Sequence, residues 1–151
     1  MKKILVVNDT LHTGGIQKSL LNFLDSLCNE YEITLLLFKR AGEAEKLLPP
    51  NVNIIYPRKI YGLIGFGKQE LKRRKNKTAY LLKCFFVGIT KIFSKKTALN
   101  IMGITQRKIR GYDIVISYSH STYYKDFRNG CAEFVLSKTK AKEKICFIHC
   151  D

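Results

Sequence analysis

Two glycines, Gly14 and Gly15, separate a short apolar run from an amphipathic segment. A strand, a glycine turn and a helix in this order bring unpaired backbone N–H groups and the positive end of a helix dipole to one point, where anions bind. The pattern therefore predicts a pocket for a phosphorylated or sugar-like ligand. The alternative is that the glycine pair only makes a tight turn.

Polar residues follow two later apolar runs. His120, Ser121 and Thr122 come directly after residues 112–118, and His149 ends the run 144–149. Because the carboxyl ends of parallel strands meet at one edge of a sheet, we expect His120 to share that edge with the glycine pair. No G-x-S-x-G turn surrounds the serines, so they do not indicate a hydrolase nucleophile.

Several familiar cofactor motifs are missing. The G-x-G-x-x-G fingerprint is absent, and Lys39 and Arg40 stand where a dehydrogenase needs an acid, which leaves only a weak NADP-type alternative. The Walker phosphate loop is absent as well. Cys146, His149 and Cys150 are spaced like metal ligands, but in a strand Cys146 and His149 point to opposite faces, and no second ligand pair is present. We predict no metal and no bound cofactor.

Apolar runs that alternate with helical segments must position these residues. Strands are predicted at 4–7, 32–38, 52–56, 112–118 and 144–149, and helices at 16–28, 43–48, 79–95, 99–110 and 123–138, the last broken at Gly130. Residues 58–77 have the least regular pattern, and Thr78 is the expected cap of the helix that follows. Right-handed crossovers then predict an α/β fold, a Rossmann-like doubly wound parallel sheet of about five strands.

The composition predicts one domain over residues 1–151, since 46% of the residues are hydrophobic. Five cysteines without a secretory signal indicate reduced thiols in a cytoplasmic protein. Lys83 and Lys91 interrupt the most apolar stretch, which leaves no segment of the roughly 20 residues that a membrane span needs. The chain is expected to touch a membrane without crossing it.

The positive charge is regional. Residues 58–96 hold twelve of the 27 Lys and Arg residues and one of the twelve acids. Such a patch seeks an anionic surface. For membrane binding we single out the basic run, defined as Lys72, Arg73, Arg74, Lys75 and Lys77. Apolar residues before it are expected to insert beside it, namely Tyr61, Leu63, Ile64 and Phe66. The apolar stripe of helix 79–95 faces either the core or the membrane interface, with the core favoured.

Three segments together resemble a known family. KILVVNDTLHTGGIQKSLLNFLDSL is similar to the opening of GT-B-fold retaining glycosyltransferases of family 4 (GT4), and YDIVISYSHSTYY and KEKICFIHCD resemble later segments of that family. The resemblance implies an amino-terminal, acceptor-binding domain, with the nucleotide sugar bound by a carboxyl-terminal domain that this sequence lacks. It further implies an incomplete first domain, so that the chain is a fragment or truncated product without activity of its own.

The resemblance also implies roles for individual residues. His149 matches the catalytic strand-end histidine close to the transferred sugar. Acceptor or phosphate contacts are implied for Gly14, Gly15, Lys18, His120 and Asp151. Gln17 departs from the family, in which Glu is common.

The expected function of the parent enzyme is hexosyl transfer from a nucleotide-sugar donor to a lipid-linked or saccharide acceptor of the cell envelope or a polysaccharide. We expect it in the cytoplasm, peripheral on the inner face of the membrane. The alternative from another class is a basic module that binds nucleic acid or a membrane surface without catalysis. Against specific nucleic-acid binding, no aromatic residues are interleaved with the basic run.

Overall fold

The computed structural model describes residues 1–11, 15–40, 42–119, 127 and 129–148. Its five strands are β1 (Lys3–Asn8), β2 (Glu32–Leu37), β3 (Asn53–Ile55), β4 (Ile114–Ser117) and β5 (Glu143–Cys146). Its α-helices are α1 (Gly15–Leu27), α2 (Lys59–Gly62), α3 (Lys68–Arg73), α4 (Lys77–Ile92), α5 (Lys95–Gly103) and α6 (Cys131–Lys138). Two 3₁₀ helices span Gly42–Leu47 and Leu63–Gly65.

All the strand pairs are parallel, in the order β3-β2-β1-β4-β5. This confirms the predicted α/β, Rossmann-like doubly wound fold. The chain moves outward from β1 to β3, returns across the sheet to β4, and continues to β5. The order therefore reverses between β1 and β4, where ligands bind in open α/β sheets.

Alternate residues of the buried strands supply two cores. On one face of the sheet, Val6 and Leu35 pack against Leu20 and Leu24 of α1. On the other face, Leu5, Leu36 and Val115 pack under α2 to α6, together with Tyr61, Phe86, Met102 and Phe134. Because β1, β2 and β4 are covered on both sides, they read as continuous apolar runs.

The segment after β3 is more regular than its sequence indicates. It forms α2, the second 3₁₀ helix and α3, and it buries Tyr61, Leu63 and Ile64 with exposures of 0%, 7% and 3%. The prediction that these three side chains insert into a membrane is therefore wrong. Asn76, rather than Thr78, caps α4, since its Oδ1 accepts from the N–H of Ala79 at 3.0 Å.

The other differences lie at element ends. The helix predicted at 43–48 is a 3₁₀ helix, Gly42–Leu47. The helix predicted at 99–110 both begins and ends earlier, as α5. The last helix begins after Gly130, as α6, and residues 120–126 and 128 lie outside the described part. β5 is exposed at all four residues because it forms the open edge of the sheet.

Candidate functional site

Two buried side-chain oxygen atoms, one at the end of β1 and one on the first turn of α1, accept no hydrogen bond within the described residues. Asn8 ends β1 and is 1% exposed; its Nδ2 donates to the carbonyl of Thr10 at 2.8 Å, while its Oδ1 has no donor. Gln17, on the first turn of α1, has the same deficit at Oε1. Buried acceptors normally receive a hydrogen bond, so we expect both atoms to accept one from a donor such as a hydroxyl or amide group.

Gly15 is the first residue of α1 and is exposed. A Cβ added there would meet no atom of the described residues within 4 Å. The described part of the fold therefore places no steric demand on this glycine, and it leaves room for a ligand at the N-terminus of α1. Lys18 is exposed one turn further on and makes no ion pair in the described part of the chain.

Aromatic contacts hold α1 against the carboxyl ends of β4 and β5. The ring of Phe23 lies 5.4 Å from that of Tyr118 and 5.6 Å from that of Phe147, and the latter two rings are 5.3 Å apart. The hydroxyl groups of Tyr118 and Ser19 are 2.7 Å apart and share a hydrogen bond. These contacts fix the first turns of α1 relative to the edge of the sheet where β1 and β4 end.

Two buried lysines tie the helical layer to residues near the start of α6. Lys83 of α4 is 2% exposed, and its Nζ donates to the carbonyls of Leu63, Ile64 and Phe127 at 2.9, 3.2 and 3.2 Å. Lys95 of α5 donates to the carbonyl of Asn129 and lies 3.1 Å from a Glu133 carboxylate oxygen. Neither lysine was singled out from the sequence as a buried residue. The sequence signal for the burial of Lys83 was its helical spacing with Phe86 and Thr90, which lie on the inward face of α4.

Cys131 begins α6 in a fully buried position, with its Sγ 3.3 Å from Ser119 Oγ. Burial, followed by the negative charge of Asp9, raises the pKa of the Cys131 thiol despite the hydrogen bond with Ser119. The thiol is therefore neutral and unreactive near pH 7. Cys131 is a packing residue.

The basic run lies at the end of α3 and the start of α4, and all five of its side chains are exposed. Arg74 is engaged: its guanidinium lies 3.0 Å from Glu70 and covers the ring of Phe66. Burial alone would raise the pKa of Glu70, but hydrogen bonds and charges from Lys39 and Arg74 outweigh it and lower that pKa. The other four cations make no ion pair in the described part of the chain.

The α4 apolar row is a line of large side chains on the outer face and end of α4, exposed by 59–76%. It consists of Leu81, Phe85, Ile92 and Phe93. The inward face carries Lys83, Phe86 and Thr90, so only part of the predicted stripe packs in the core. The described helices include none long and apolar enough to cross a bilayer.

The structure brings together Gly15 and Lys18 on the first turns of α1, but it does not test the remaining site predictions. Gly14, His120, His149 and Asp151 lie outside the described residues. Within the described part, no group of three or more His, Cys, Asp or Glu residues is arranged to hold a metal ion. Searches of this chain against protein-family models, curated proteins and solved structures found no match to any of them.

Proposed function

We propose that this chain is the acceptor-binding domain of a retaining glycosyltransferase that works on the inner face of a membrane. The parent enzyme would move a sugar from a nucleotide sugar to a cell-envelope or polysaccharide acceptor. One observation carries the proposal: Asn8 Oδ1, at the end of β1 where the strand order reverses, and Gln17 Oε1, on the first turn of α1, are buried acceptors without donors in the described part. Sugar hydroxyls are donors of the required kind.

The chemistry of retaining transfer fits such an edge. Positive charge develops on the sugar ring and negative charge on the leaving diphosphate, so fixed dipoles at the strand ends stabilise the transition state. In this proposal His149 lies beside the transferred sugar. The acceptor or its phosphate contacts Gly14, Gly15, Lys18, His120 and Asp151.

The membrane part of the proposal is supported by the basic run and the α4 apolar row. Cations attract anionic headgroups, and exposed apolar side chains next to them supply the second signal that stable peripheral binding needs. The rival is a nucleic-acid-binding module. Phe66, close to the run, has Lys39 and Arg74 over its ring at 5.3 and 5.2 Å, so that ring is not open to stack on a base.

Replacing Gln17 with Leu should separate stability from ligand binding. The substitution removes a buried acceptor that has no donor in the described residues, so the free energy of unfolding should stay the same or rise by about 1 kcal/mol. Saccharide binding should weaken strongly. Urea denaturation measures the first quantity, and saturation-transfer NMR with glucose, mannose, N-acetylglucosamine and their 1-phosphates measures the second.

The matched control is Gln69→Leu, which changes an exposed glutamine on α3 and should alter neither quantity. Gly15→Ala is also expected to fold normally, because a Cβ there meets no described atom within 4 Å, while it narrows the approach to α1. If the unaltered chain binds no saccharide but binds generic duplex DNA at physiological salt, the nucleic-acid alternative replaces the proposal.

The chain alone is expected to transfer no sugar. In the family that the sequence resembles, the nucleotide sugar is bound by a separate carboxyl-terminal domain. The measurement is incubation with radiolabelled nucleotide sugars and lipid-linked acceptors, followed by chromatography of the products. Turnover by the 151-residue chain would contradict this division of labour, and the proposal would then have to place donor binding within residues 1–151.

A further inference from the structure

A cavity of about 570 Å³ opens at the carboxyl ends of β2 and β3, beneath α2 and the junction of α3 with α4. Its apolar lining includes Phe38, Ile60, Leu63, Phe66, Leu71 and Leu82. The volume falls within the usual range of small-molecule sites, and a mostly apolar lining with a few charged groups is typical of them. Asn8 and Gln17 do not line it, but the cavity borders the edge described above, since the N–H of its lining residue Phe38 donates to the carbonyl of Asn8 at 3.4 Å.

Four cations line the same cavity: Lys39, Arg40, Lys59 and Arg74. Lys39 and Arg74 share one carboxylate, since they lie 2.7 and 3.0 Å from the two oxygens of Glu70. Arg40 lies over the ring of Tyr56 at 5.0 Å, and neither Arg40 nor Lys59 has a carboxylate within salt-bridge distance among the described residues. Within the part of the chain that the structure describes, these two cations are available to an anion.

The hydroxyl group of Tyr56 already has a hydrogen-bond partner. Its hydroxyl donates to Glu45 at 2.7 Å, and burial together with this bond raises the pKa of Tyr56 to about 12. The hydroxyl therefore stays protonated, and the ring offers the cavity an uncharged wall beneath Arg40. An anion next to Arg40 meets no competing phenolate.

The cavity adjoins the α4 apolar row. Leu82 lines the cavity and is 38% exposed, and its neighbour Leu81 belongs to the row. Thr78 and Asn76, at the start of α4, also line it, directly beside the basic run. If this face of the protein binds a membrane, a lipid of that membrane has a short route into the cavity.

We propose that this cavity binds an anionic amphiphile, with its hydrocarbon chain against the apolar lining and its phosphate head against Arg40 and Lys59. Each methylene group buried strengthens binding about fourfold, and guanidinium groups bind phosphate through paired hydrogen bonds. The role of this ligand as the lipid end of a sugar acceptor rests on the proposed function. Its binding does not require transfer.

Isothermal titration of the full chain with decyl phosphate, below its micelle concentration, tests the proposal. We expect decyl phosphate to bind more tightly than inorganic phosphate or decanol, because each of these supplies one half of the recognition. The double variant Arg40→Gln, Lys59→Gln should bind decyl phosphate about tenfold more weakly. The matched control, Lys2→Gln with Lys108→Gln, removes two exposed charges elsewhere and should bind normally.

Other outcomes overturn the proposal. Equal affinity for inorganic phosphate and decyl phosphate would mean a simple anion site, and equal affinity of the double variant and its control would mean that the head group lies elsewhere. The result is also separable from the proposed function. If decyl phosphate binds but saccharides do not, the cavity site is supported and the proposed transferase function is rejected. If saccharides bind but decyl phosphate does not, the transferase function is supported and the cavity site is rejected.

Discussion

Replacing Lys83 with Met is expected to lower the free energy of unfolding by about 3 kcal/mol. Methionine fills a similar volume but cannot donate, so the carbonyls of Leu63, Ile64 and Phe127 lose the donor that they share. The carbonyl of Leu63 still accepts from the N–H of Phe66 at 3.3 Å, so the loss falls mainly on the carbonyls of Ile64 and Phe127. A buried carbonyl left without a partner costs about 1–3 kcal/mol, reduced where the backbone relaxes. Urea denaturation followed by far-ultraviolet circular dichroism measures the change.

Lys91→Met is the matched control, since Lys91 lies on the same helix and is exposed. It should change the free energy of unfolding by less than about 0.5 kcal/mol. A neutral or stabilising effect of Lys83→Met would mean that burying the ammonium group costs as much as its hydrogen bonds return, as happens at some buried ion pairs. Lys83 would then not stabilise the fold.

Neutralising the unpaired part of the basic run is expected to reduce binding to anionic vesicles roughly a thousandfold. The change is Lys72, Arg73, Lys75 and Lys77 to Gln; Arg74 is kept because it pairs with Glu70. Each cation near an anionic surface contributes about 1 kcal/mol, so four of them amount to about 4 kcal/mol. Co-sedimentation with vesicles of anionic and of neutral lipids measures the partitioning.

The control removes the same charge from the opposite, amino edge of the sheet by changing Lys2, Arg107, Lys108 and Lys140 to Gln, all of them exposed. It should pellet nearly as well as the unaltered chain at physiological salt, where distant charges are screened. A separate variant, Leu81→Ser with Phe85→Ser, should weaken binding to both kinds of vesicle. Equal pelleting of the two charge variants would exclude the basic run as the anchor.

Strand positions and sheet type were predictable because buried parallel strands leave continuous apolar runs that local pattern reveals. β1 and β2 were correctly located to within one or two residues at each end. The prediction of an irregular segment at residues 58–77 was wrong, because the helices there are too short for a hydrophobic period of about 3.6 residues to show. Tyr61, Leu63 and Ile64 are buried through contacts made across the chain, which the residues around them do not encode.

Only the location of the candidate site could be predicted from the sequence. The order of strands and turns predicted an edge shared by the glycine pair and His120, because parallel topology dictates where strand ends meet. Of these residues, Gly15 lies in the described part of the chain. The unpaired oxygens of Asn8 and Gln17 were not foreseen, since the partners of a side-chain amide depend on three-dimensional packing. The cavity also went unnoticed, because its walls come from Phe38, Tyr56 and Leu82, which are far apart in the sequence.

The strand order has a consequence for how the chain folds. β1 pairs with β2 across about thirty residues, whereas Ile4 pairs with Ile114, and the N–H of Lys3 reaches Asp113, 110 residues away. Closing the longer loop costs more conformational entropy, and this cost arises before the contacts that offset it have formed. The unit β1-α1-β2-β3 is thus the natural early structure during synthesis, and β4 completes the central sheet late. Until then the side of β1 that receives β4 is open to pairing with another chain.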